Sequence, residues 1–239
     1  MNLRLLLPAL AGLMLLSACG ESPSDAAFGN RVRKYLLEHP EVLQEAVAKL
    51  SEKEALAEAK AMKQAVADNR KAIERDPRDF VANPKGKITV TEFFDYNCAY
   101  CKVAGPALIQ LIAANPDIRF VFKEYPFQIP ASEVAARAAL VVQRQGGRSL
   151  SLYNELLALR PLNQEGIDRV LTSHGYDPAA IHAAGRSEEI TKHIHDVAQL
   201  AQKLSINATP TFIVGDQIVI GADMDDLAAA IEAARKAAA

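Results

Sequence analysis

The sequence predicts an α/β fold with an inserted helical subdomain, preceded by an N-terminal α-helical segment. Runs rich in β-branched and aromatic residues at 88–96 and 118–122 are typical of strands, and two shorter strand-like runs occur near the C-terminus. Apolar residues recur at helical spacing in the long stretches between and before these runs. The 239 residues are 50% apolar and 23% charged, and the formal net charge is −2, which implies neither nucleic-acid binding nor strong attraction to a membrane surface.

The first twenty residues are typical of an export signal. Arg4 supplies a positive charge, and the apolar run at 5–16 is too short to span a bilayer comfortably. The run ends in Leu16-Ser17-Ala18-Cys19, which resembles the bacterial lipoprotein signal, in which the cysteine becomes the first residue and receives lipid. We therefore predict a signal peptide at 1–18, lipidation of Cys19 and a polar tether at 19–27. An ordinary signal peptide with a chance cysteine is the alternative.

Residues 28–76 are predicted to be helical, and they cannot bury their own apolar stripe. Val32 and Leu36 begin the stripe, Pro40 starts a second helix as a first-turn residue, and the polar segment 51–54 interrupts the pattern. Packing against the main domain is one interpretation. We favour the other, self-association into a coiled-coil-like stem that makes the protein a homo-oligomer, a trimer or a dimer.

Proline-containing breakers at 76–79 and 83–86 place the domain boundary at residue 77. The predicted elements of the domain at 77–239 are, in order, a strand at 88–96, a helix at 98–114, a strand at 118–122, helices at 131–145, 150–159, 164–174, from 177 and at 190–204, strands within 207–215 and at 217–220, and a helix at 223–237 with Asp223 as its cap. This order is that of a thioredoxin-like fold with a helical insertion at about 131–205.

Two cysteines separated by two residues stand where a strand ends and a helix begins. Once Cys19 is assigned to lipid, Cys98 and Cys101 are the only cysteines left, in a protein whose export implies an oxidising compartment. The N–H groups and the partial positive charge of a helix N-terminus favour the thiolate on Cys98. We therefore predict a redox-active Cys98–Cys101 disulfide in which Cys98 is the nucleophile and Cys101 resolves the mixed disulfide.

Metal and cofactor sites are the alternatives for such a cysteine pair. A zinc site needs more ligands, and His193 and His195 are two residues apart, so they do not share a helix face. Lys102 stands where haem attachment needs histidine. No metal and no other cofactor is therefore expected. Sequestration of Cu(I) by the two thiols, as in a copper-resistance factor, remains the alternative from another functional class, and an inert structural lipoprotein is a third.

Three segments of residues 80–237 resemble the DsbA family of thiol:disulfide oxidoreductases. They are Glu92-Phe-Phe-Asp-Tyr-Asn-Cys-Ala-Tyr-Cys-Lys102, Phe122-Lys-Glu-Tyr-Pro126 and Ala208-Thr-Pro-Thr-Phe-Ile-Val-Gly215. The helical N-terminus is similar to that of the ScsC-type members, and this resemblance suggests that the chain oligomerises through it.

The resemblance also implies roles for residues outside the cysteine pair. Glu92 matches a buried acid beneath the cysteines; its alternation with Val90 and Phe94 favours burial, which would raise its pKa and let it exchange a proton with Cys101. Pro210 is predicted to follow a cis peptide bond. The Thr209 backbone would then pair with an extended substrate chain beside the cysteines.

The resemblance further implies a direction for the reaction. Threonine at position 209 is typical of isomerases and reductases, and Ala99-Tyr100 lacks the histidine that stabilises the thiolate in strong oxidases. Tyr96, Tyr100 and Phe127 are candidates for an apolar rim that binds unfolded chains, or for scaffold packing.

We therefore expect an enzyme, a disulfide isomerase or reductase rather than a net oxidase, facing the periplasm in the bacterial envelope. Its expected partners are unfolded or misoxidised exported proteins and a membrane thiol–disulfide redox protein, with no nucleic acid. Gly20 after the lipidated cysteine slightly favours the outer membrane.

Overall fold

A computed structural model describes residues 23–147 and 149–238. The boundary between two compact units falls between Ala57 and Glu58. The predicted signal peptide, the lipidation site Cys19 and the first part of the tether lie outside the described residues. Within the described ranges, no helix is both long and apolar enough to cross a membrane.

The N-terminal unit contains helix α1 (Pro23–Glu38) and the first part of helix α2 (Glu41–Glu74). Helix α1 begins at Pro23, so the second half of the predicted tether is helical; proline is tolerated in a first helical turn, and Asp25 favours the positive N-terminal end. Helix α2 begins directly after Pro40 and continues through 51–54, because that polar segment interrupts the apolar stripe without containing a helix breaker. Large apolar side chains of this unit are exposed: Phe28, Val32, Tyr35, Leu37, Leu43, Val47, Leu50 and Leu56.

The second half of α2 belongs to the larger unit. Val66 and Ile73 are one heptad apart, so they share a helix face, and both are buried in a core with Phe93, Val197 and Ile213. This half of the predicted stem therefore packs against the main domain, which is the interpretation that we did not favour. The larger unit accordingly begins before residue 77, at Glu58.

The end of α2 is capped by side chains from the sheet. Its carbonyls at Ala72, Ile73 and Glu74 have no partners within the helix, as is usual in a last turn. They accept hydrogen bonds from Lys123 Nζ (2.5 Å), Thr91 Oγ1 (3.3 Å) and Arg119 (2.5 Å), respectively.

The larger unit is built on a five-stranded sheet with the order β1-β3-β2-β4-β5. The strands are β1 (Phe80–Ala82), β2 (Ile88–Phe94), β3 (Ile118–Glu124), β4 (Thr211–Val214) and β5 (Gln217–Ile220). Strands β2 and β3 are parallel, and the other pairs are antiparallel. Strand β1 was not predicted, because its three residues stand between two proline-containing breakers and form a strand only by pairing with β3.

Within the described residues, seven further helices pack around the sheet. They are α3 (Ala99–Ala114), α4 (Pro130–Arg144), α5 (Leu150–Ala158), α6 (Gln164–Ser173), α7 (Pro178–Gly185), α8 (Glu188–Lys203) and α9 (Met224–Ala238). Helices α4 to α8 form the predicted insertion between β3 and β4. The Asp223 carboxylate accepts from the N–H groups of Asp225 and Asp226 and so caps α9, as predicted. The thioredoxin-like fold with an inserted helical subdomain is thereby confirmed.

Strand β2 has a core on each of its faces. Val90 and Phe94 face the larger core with α3 and α5, whereas Phe93 faces the smaller core with α2 and α8. Because the strand ends at Phe94, the chain leaves the sheet just before the cysteines, and both of them pack in the larger core.

Candidate active site

Cys98 and Cys101 lie at the first turn of α3, with Cys98 as the N-terminal cap. The Cys101 backbone N–H donates to Cys98 Sγ at 3.4 Å. The two cysteines are not joined by a disulfide, and both are buried, Cys98 at 3% exposure and Cys101 at 0%. The cap position points Cys98 Sγ at the free N–H groups of the helix, and the next turn carries Cys101 into the core.

The environment separates the pKa values of the two thiols. The pKa of Cys98 is lowered to about 5, first by the neighbouring Cys101 thiol, then by the Thr209 side chain and the backbone N–H groups of Cys101 and Tyr100, while burial opposes the shift. The pKa of Cys101 is raised, first by burial, then by its hydrogen bond to Cys98 and by the charge of Glu92. Such a pair holds one thiolate and one thiol at neutral pH.

Thr209 and Pro210 lie directly beside Cys98. The peptide bond between them is cis, as predicted. The Cys98 thiol donates to the Thr209 carbonyl, with an Sγ–O distance of 3.0 Å. The buried Thr209 hydroxyl has no hydrogen-bond partner within the described part of the chain while Cys98 is a thiol, so it is available to donate to the thiolate.

Glu92 is buried at 2% exposure on the same face of β2 as Val90 and Phe94, as its alternation predicts. The Tyr153 hydroxyl contacts both carboxyl oxygens, at 3.1 Å and 3.3 Å. The pKa of Glu92 is raised to about 8, first by burial and also by the charges of Glu124 and Cys98, while the Tyr153 hydrogen bond lowers it. Glu92 is therefore a buried acid that can gain or lose a proton near neutral pH.

Asp95, which the sequence analysis did not single out, ties the cysteine loop to the segment after β3. Its buried carboxylate accepts four hydrogen bonds, from the backbone N–H groups of Asn97, Phe127 and Gln128 and from the Ser132 hydroxyl, at 2.6 to 3.1 Å. Aspartate is common in loops, where its carboxylate accepts a hydrogen bond from the N–H group two residues later, so the bond to Asn97 could be predicted from the sequence. The bonds to Phe127, Gln128 and Ser132 could not, because these residues are more than 30 positions away.

Exposed apolar side chains lie on the helix that carries the cysteines and on the segment after β3. Tyr100 and Val103 on α3 are both 67% exposed, and Phe127 is 45% exposed on the segment that Asp95 holds. Tyr96, a third candidate for the rim, is 1% exposed, packs edge-on against Phe94 and donates to Glu124. Of the two interpretations left open for Tyr96, scaffold packing is therefore the one that its burial supports.

A second cluster of potential ligands, Asp76, Asp79 and His193, lies on the opposite face of the sheet. Lys123 Nζ is 2.5 Å from one oxygen of the Asp79 carboxylate, and Arg78 binds the carboxylate of Asp76, so each carboxylate already has a positive partner. The cluster is therefore described as an ion-pair network.

Comparisons with known proteins agree with this geometry. A family model described as a DSBA-like thioredoxin domain matches residues 89–232, and one described as the N-terminal domain of copper resistance protein ScsC matches residues 25–57. The chain is 37% identical to a thioredoxin-like oxidoreductase from Silicibacter pomeroyi DSS-3, with a TM-score of 0.66 over 70% of this chain and 98% of that one. It is 29% identical to Salmonella enterica Typhimurium BcfH, with a TM-score of 0.73 over 88% and 96%.

A curated relative is much longer than the matched region. The chain is 32% identical over 168 residues to the Na(+)/H(+) antiporter NhaA 1 of Salinispora arenicola, and the match covers 66% of this chain but 25% of the antiporter. The chain therefore spans about a quarter of the length of that relative. The match at 89–232 covers more than half of the chain, and it shows that the chain belongs to the DSBA-like thioredoxin domain family.

Proposed function

We propose that the protein is a thiol:disulfide oxidoreductase that acts on exported proteins through Cys98 and Cys101. Membership of the family supports the reaction class. The lowered pKa of Cys98 and the raised pKa of Cys101 support their different roles. The Cys98 thiolate attacks a substrate disulfide to form a mixed disulfide, and the Cys101 thiolate then attacks Cys98 Sγ and releases the substrate sulfur as a thiolate.

Within this class, we propose that the enzyme isomerises or reduces disulfides rather than forming them. The observation that carries this proposal is that the groups that lower the pKa of Cys98 are all neutral: the Cys101 thiol, the Thr209 side chain and two backbone N–H groups. The resulting pKa of about 5 lies between those of the strong oxidant DsbA, ~3.5, and of thioredoxin, ~7. A less stabilised thiolate makes the disulfide less oxidising, and Thr209 supports the same direction by resemblance.

Glu92 is proposed as the group that takes a proton from Cys101 when the mixed disulfide is resolved. Its burial beside the cysteines, its charge coupling to both of them and its pKa of about 8 support this role. A base whose pKa lies near the working pH exchanges protons in both directions.

Substrate binding is proposed at the exposed surface around the cysteines. Tyr100, Val103 and Phe127 offer apolar surface of the kind that an unfolded chain contacts. The Thr209 carbonyl next to Pro210 lies within hydrogen-bond distance of Cys98 Sγ. A substrate strand that pairs with the backbone of Thr209 would therefore lie close to the nucleophile.

The cellular setting is proposed from the N-terminus. The signal-like segment and Cys19 support lipid anchoring in the bacterial envelope with the catalytic domain in the periplasm, the outer membrane being slightly favoured. The ScsC-type match at 25–57 and the exposed apolar side chains of α1 and α2 support a homo-oligomer, a trimer or a dimer. A membrane thiol–disulfide protein is the proposed redox partner.

The direction is tested with a substrate protein that carries scrambled disulfides. In a glutathione buffer, the wild-type protein is expected to restore native pairing, and Cys98→Ala is expected not to. The reduction potential, measured by equilibration with glutathione, is expected to be more negative than that of DsbA. A protein that oxidises reduced substrate but leaves scrambled substrate unchanged would be an oxidase, and the proposed direction would be wrong.

Copper binding is a second candidate function. Two free thiols one helical turn apart suit Cu(I), and the N-terminal match is to a domain of a protein described as a copper resistance protein. Titration of the reduced protein with Cu(I) against a competing chelator tests this function, with Cys101→Ser as the control. A reduced wild-type protein that competes no better than Cys101→Ser would remove it.

A further inference from the structure

Tyr153 links the helical insertion to the buried acid. It lies in the middle of α5, it is 0% exposed, and its ring packs against Phe94 and Phe122, with centroid distances of 5.0 Å and 4.9 Å. Its hydroxyl is the hydrogen-bond donor that reaches Glu92, 61 positions earlier in the chain.

We propose that Tyr153 is a positioning residue that holds the Glu92 carboxyl group in a fixed orientation beneath the cysteine pair and keeps it able to ionise there. The hydroxyl spans both carboxyl oxygens, so it restricts rotation of the group as well as donating to it. A buried carboxylate without such a donor is strongly disfavoured, because burial removes the water that would stabilise its charge.

The step that Tyr153 serves is the resolution of the mixed disulfide. The Cys101 thiol gives its proton to the Glu92 carboxylate, and the Cys101 thiolate attacks Cys98 Sγ. The new Cys98–Cys101 bond forms as the bond between Cys98 and the substrate sulfur breaks, and the substrate leaves as a thiolate. Two electrons pass to the substrate, and the proton from Cys101 stays on Glu92 until it returns to solvent.

The ionisable groups near Glu92 do not replace Tyr153 in stabilising the charge of its carboxylate. Glu124 on β3 and Cys98 disfavour its charge, and Cys101 interacts with it from α3. Lys123 cannot compensate, since it alternates to the other face of β3 and binds Asp79. Among the described groups that shift the Glu92 pKa appreciably, Tyr153 is thus the one that favours the ionised form.

The matched pair of variants is Tyr153→Phe and Tyr96→Phe. Both tyrosines are buried in the same aromatic cluster and both donate to a glutamate, but Tyr96 donates to Glu124. Each change removes one hydroxyl and leaves the ring. We expect Tyr153→Phe to raise the Glu92 titration midpoint by about one pH unit, through loss of a hydrogen bond to a charged group, and Tyr96→Phe not to raise it.

The midpoint is measured by ¹³C NMR of the glutamate carboxyl carbons in the reduced protein, with Glu92→Gln to assign the resonance. The Tyr153 ring carbon that bears the hydroxyl provides a measurement on the wild-type protein, which does not depend on whether a variant folds. It is expected to titrate with the same midpoint as Glu92. An unshifted midpoint in folded Tyr153→Phe, or a Tyr153 resonance that ignores the Glu92 titration, would overturn the inference.

Kinetics test the consequence for the reaction. With saturating glutathione disulfide, mass spectrometry of quenched samples follows the decay of the glutathione adduct on Cys98. At pH 7, Tyr153→Phe is expected to slow this decay about three- to tenfold, with recovery toward the wild-type rate above pH 9. In a Glu92→Gln background, the same change is expected to have no further effect. An equal slowing there would assign Tyr153 a structural role and overturn the inference.

The inference about Tyr153 rests on the proposed role of Glu92 as proton acceptor. The experiments distinguish a failure of one proposal from a failure of the other. If Glu92→Gln resolves the adduct as fast as the wild type, Glu92 is not the proton acceptor. An unshifted NMR midpoint in Tyr153→Phe would overturn only the role of Tyr153.

Discussion

Cys98 and Glu92 are buried acids whose pKa values move in opposite directions. The pKa of Cys98 falls from 9.0 to about 5, and that of Glu92 rises from 4.5 to about 8. A group with a lowered pKa stabilises the fold above its folded-state pKa, whereas a group with a raised pKa destabilises it as pH rises through the same range. Between pH 5 and 8 the two residues therefore act against each other in the reduced protein.

This opposition predicts two stability profiles. Between pH 5 and 8, the free energy of unfolding of reduced Glu92→Gln is expected to rise by about 1.4 kcal/mol per pH unit, because the contribution of Cys98 remains and the opposing one of Glu92 is removed. The free energy of unfolding of Cys98→Ser is expected to fall by about the same amount per pH unit, because the contribution of Glu92 remains and that of Cys98 is removed. Urea unfolding under reducing conditions measures both profiles. The wild type should lie between them, and parallel profiles for the two variants would contradict the assignment.

At this scale, sequence reasoning recovers the residues whose role is local and misses those that depend on packing. The sequence alone predicts the position of Cys98 at a helix start and the burial of Glu92 through its alternation with apolar neighbours. Tyr153 was not, because its partner is 61 positions away and a tyrosine in an apolar helix is ordinary core composition. The burial of Tyr96 likewise depends on Phe94 and Glu124, which local pattern does not bring together.

At the scale of elements, the end of α2 depends on β3. Lys123 and Asp79 are both 1% exposed at their side chains, 2.5 Å apart, and Lys123 also donates to the Ala72 carbonyl. Attraction within such a pair roughly balances the cost of burying the charges, but removing one partner leaves the other charge uncompensated.

Lys123→Met is therefore expected to lower the free energy of unfolding by about 3 to 5 kcal/mol, since it leaves the Asp79 carboxylate buried without its cation. Adding Asp79→Asn should recover part of the loss. Chemical denaturation of the two variants at pH 7 provides the comparison. A loss below about 1 kcal/mol for Lys123→Met would show that the pair carries no such cost.

The elements themselves were largely predictable, because their boundaries carry caps and breakers. The missing strand β1 and the full length of α2 were not. A three-residue strand is stable only through its partner β3, and the burial of Val66 and Ile73 requires a surface that lies on β2, β4 and α8.

At the scale of the whole molecule, the exposed stripe of α2 supports the proposed oligomer. Leu43, Val47 and Leu50 recur at the spacing of a helix seam, and all three are more than half exposed within one chain. Because an apolar seam needs a partner surface, a charge within it should separate the copies.

Val47→Lys is expected to lower the molar mass of the protein in solution to that of one chain. Glu45→Lys adds the same side chain on the opposite side of the helix and should leave the mass unchanged. Light scattering coupled to size exclusion measures both. A wild-type protein that already has the mass of one chain would contradict the proposed stem.

The alternation of β2 and β3 has a consequence for how this family can vary. Thr91 and Glu92 are neighbours, as are Lys123 and Glu124, yet in each pair one residue anchors α2 and the other faces the aromatic cluster beneath the cysteines. Deleting a single residue early in either strand would exchange the two faces and lose the anchor and the acid together. A point substitution can change the anchoring of α2 or the environment of the buried acid separately, whereas a change in strand length alters both. Length variation in this domain is therefore expected in the loops and the insertion rather than in these two strands.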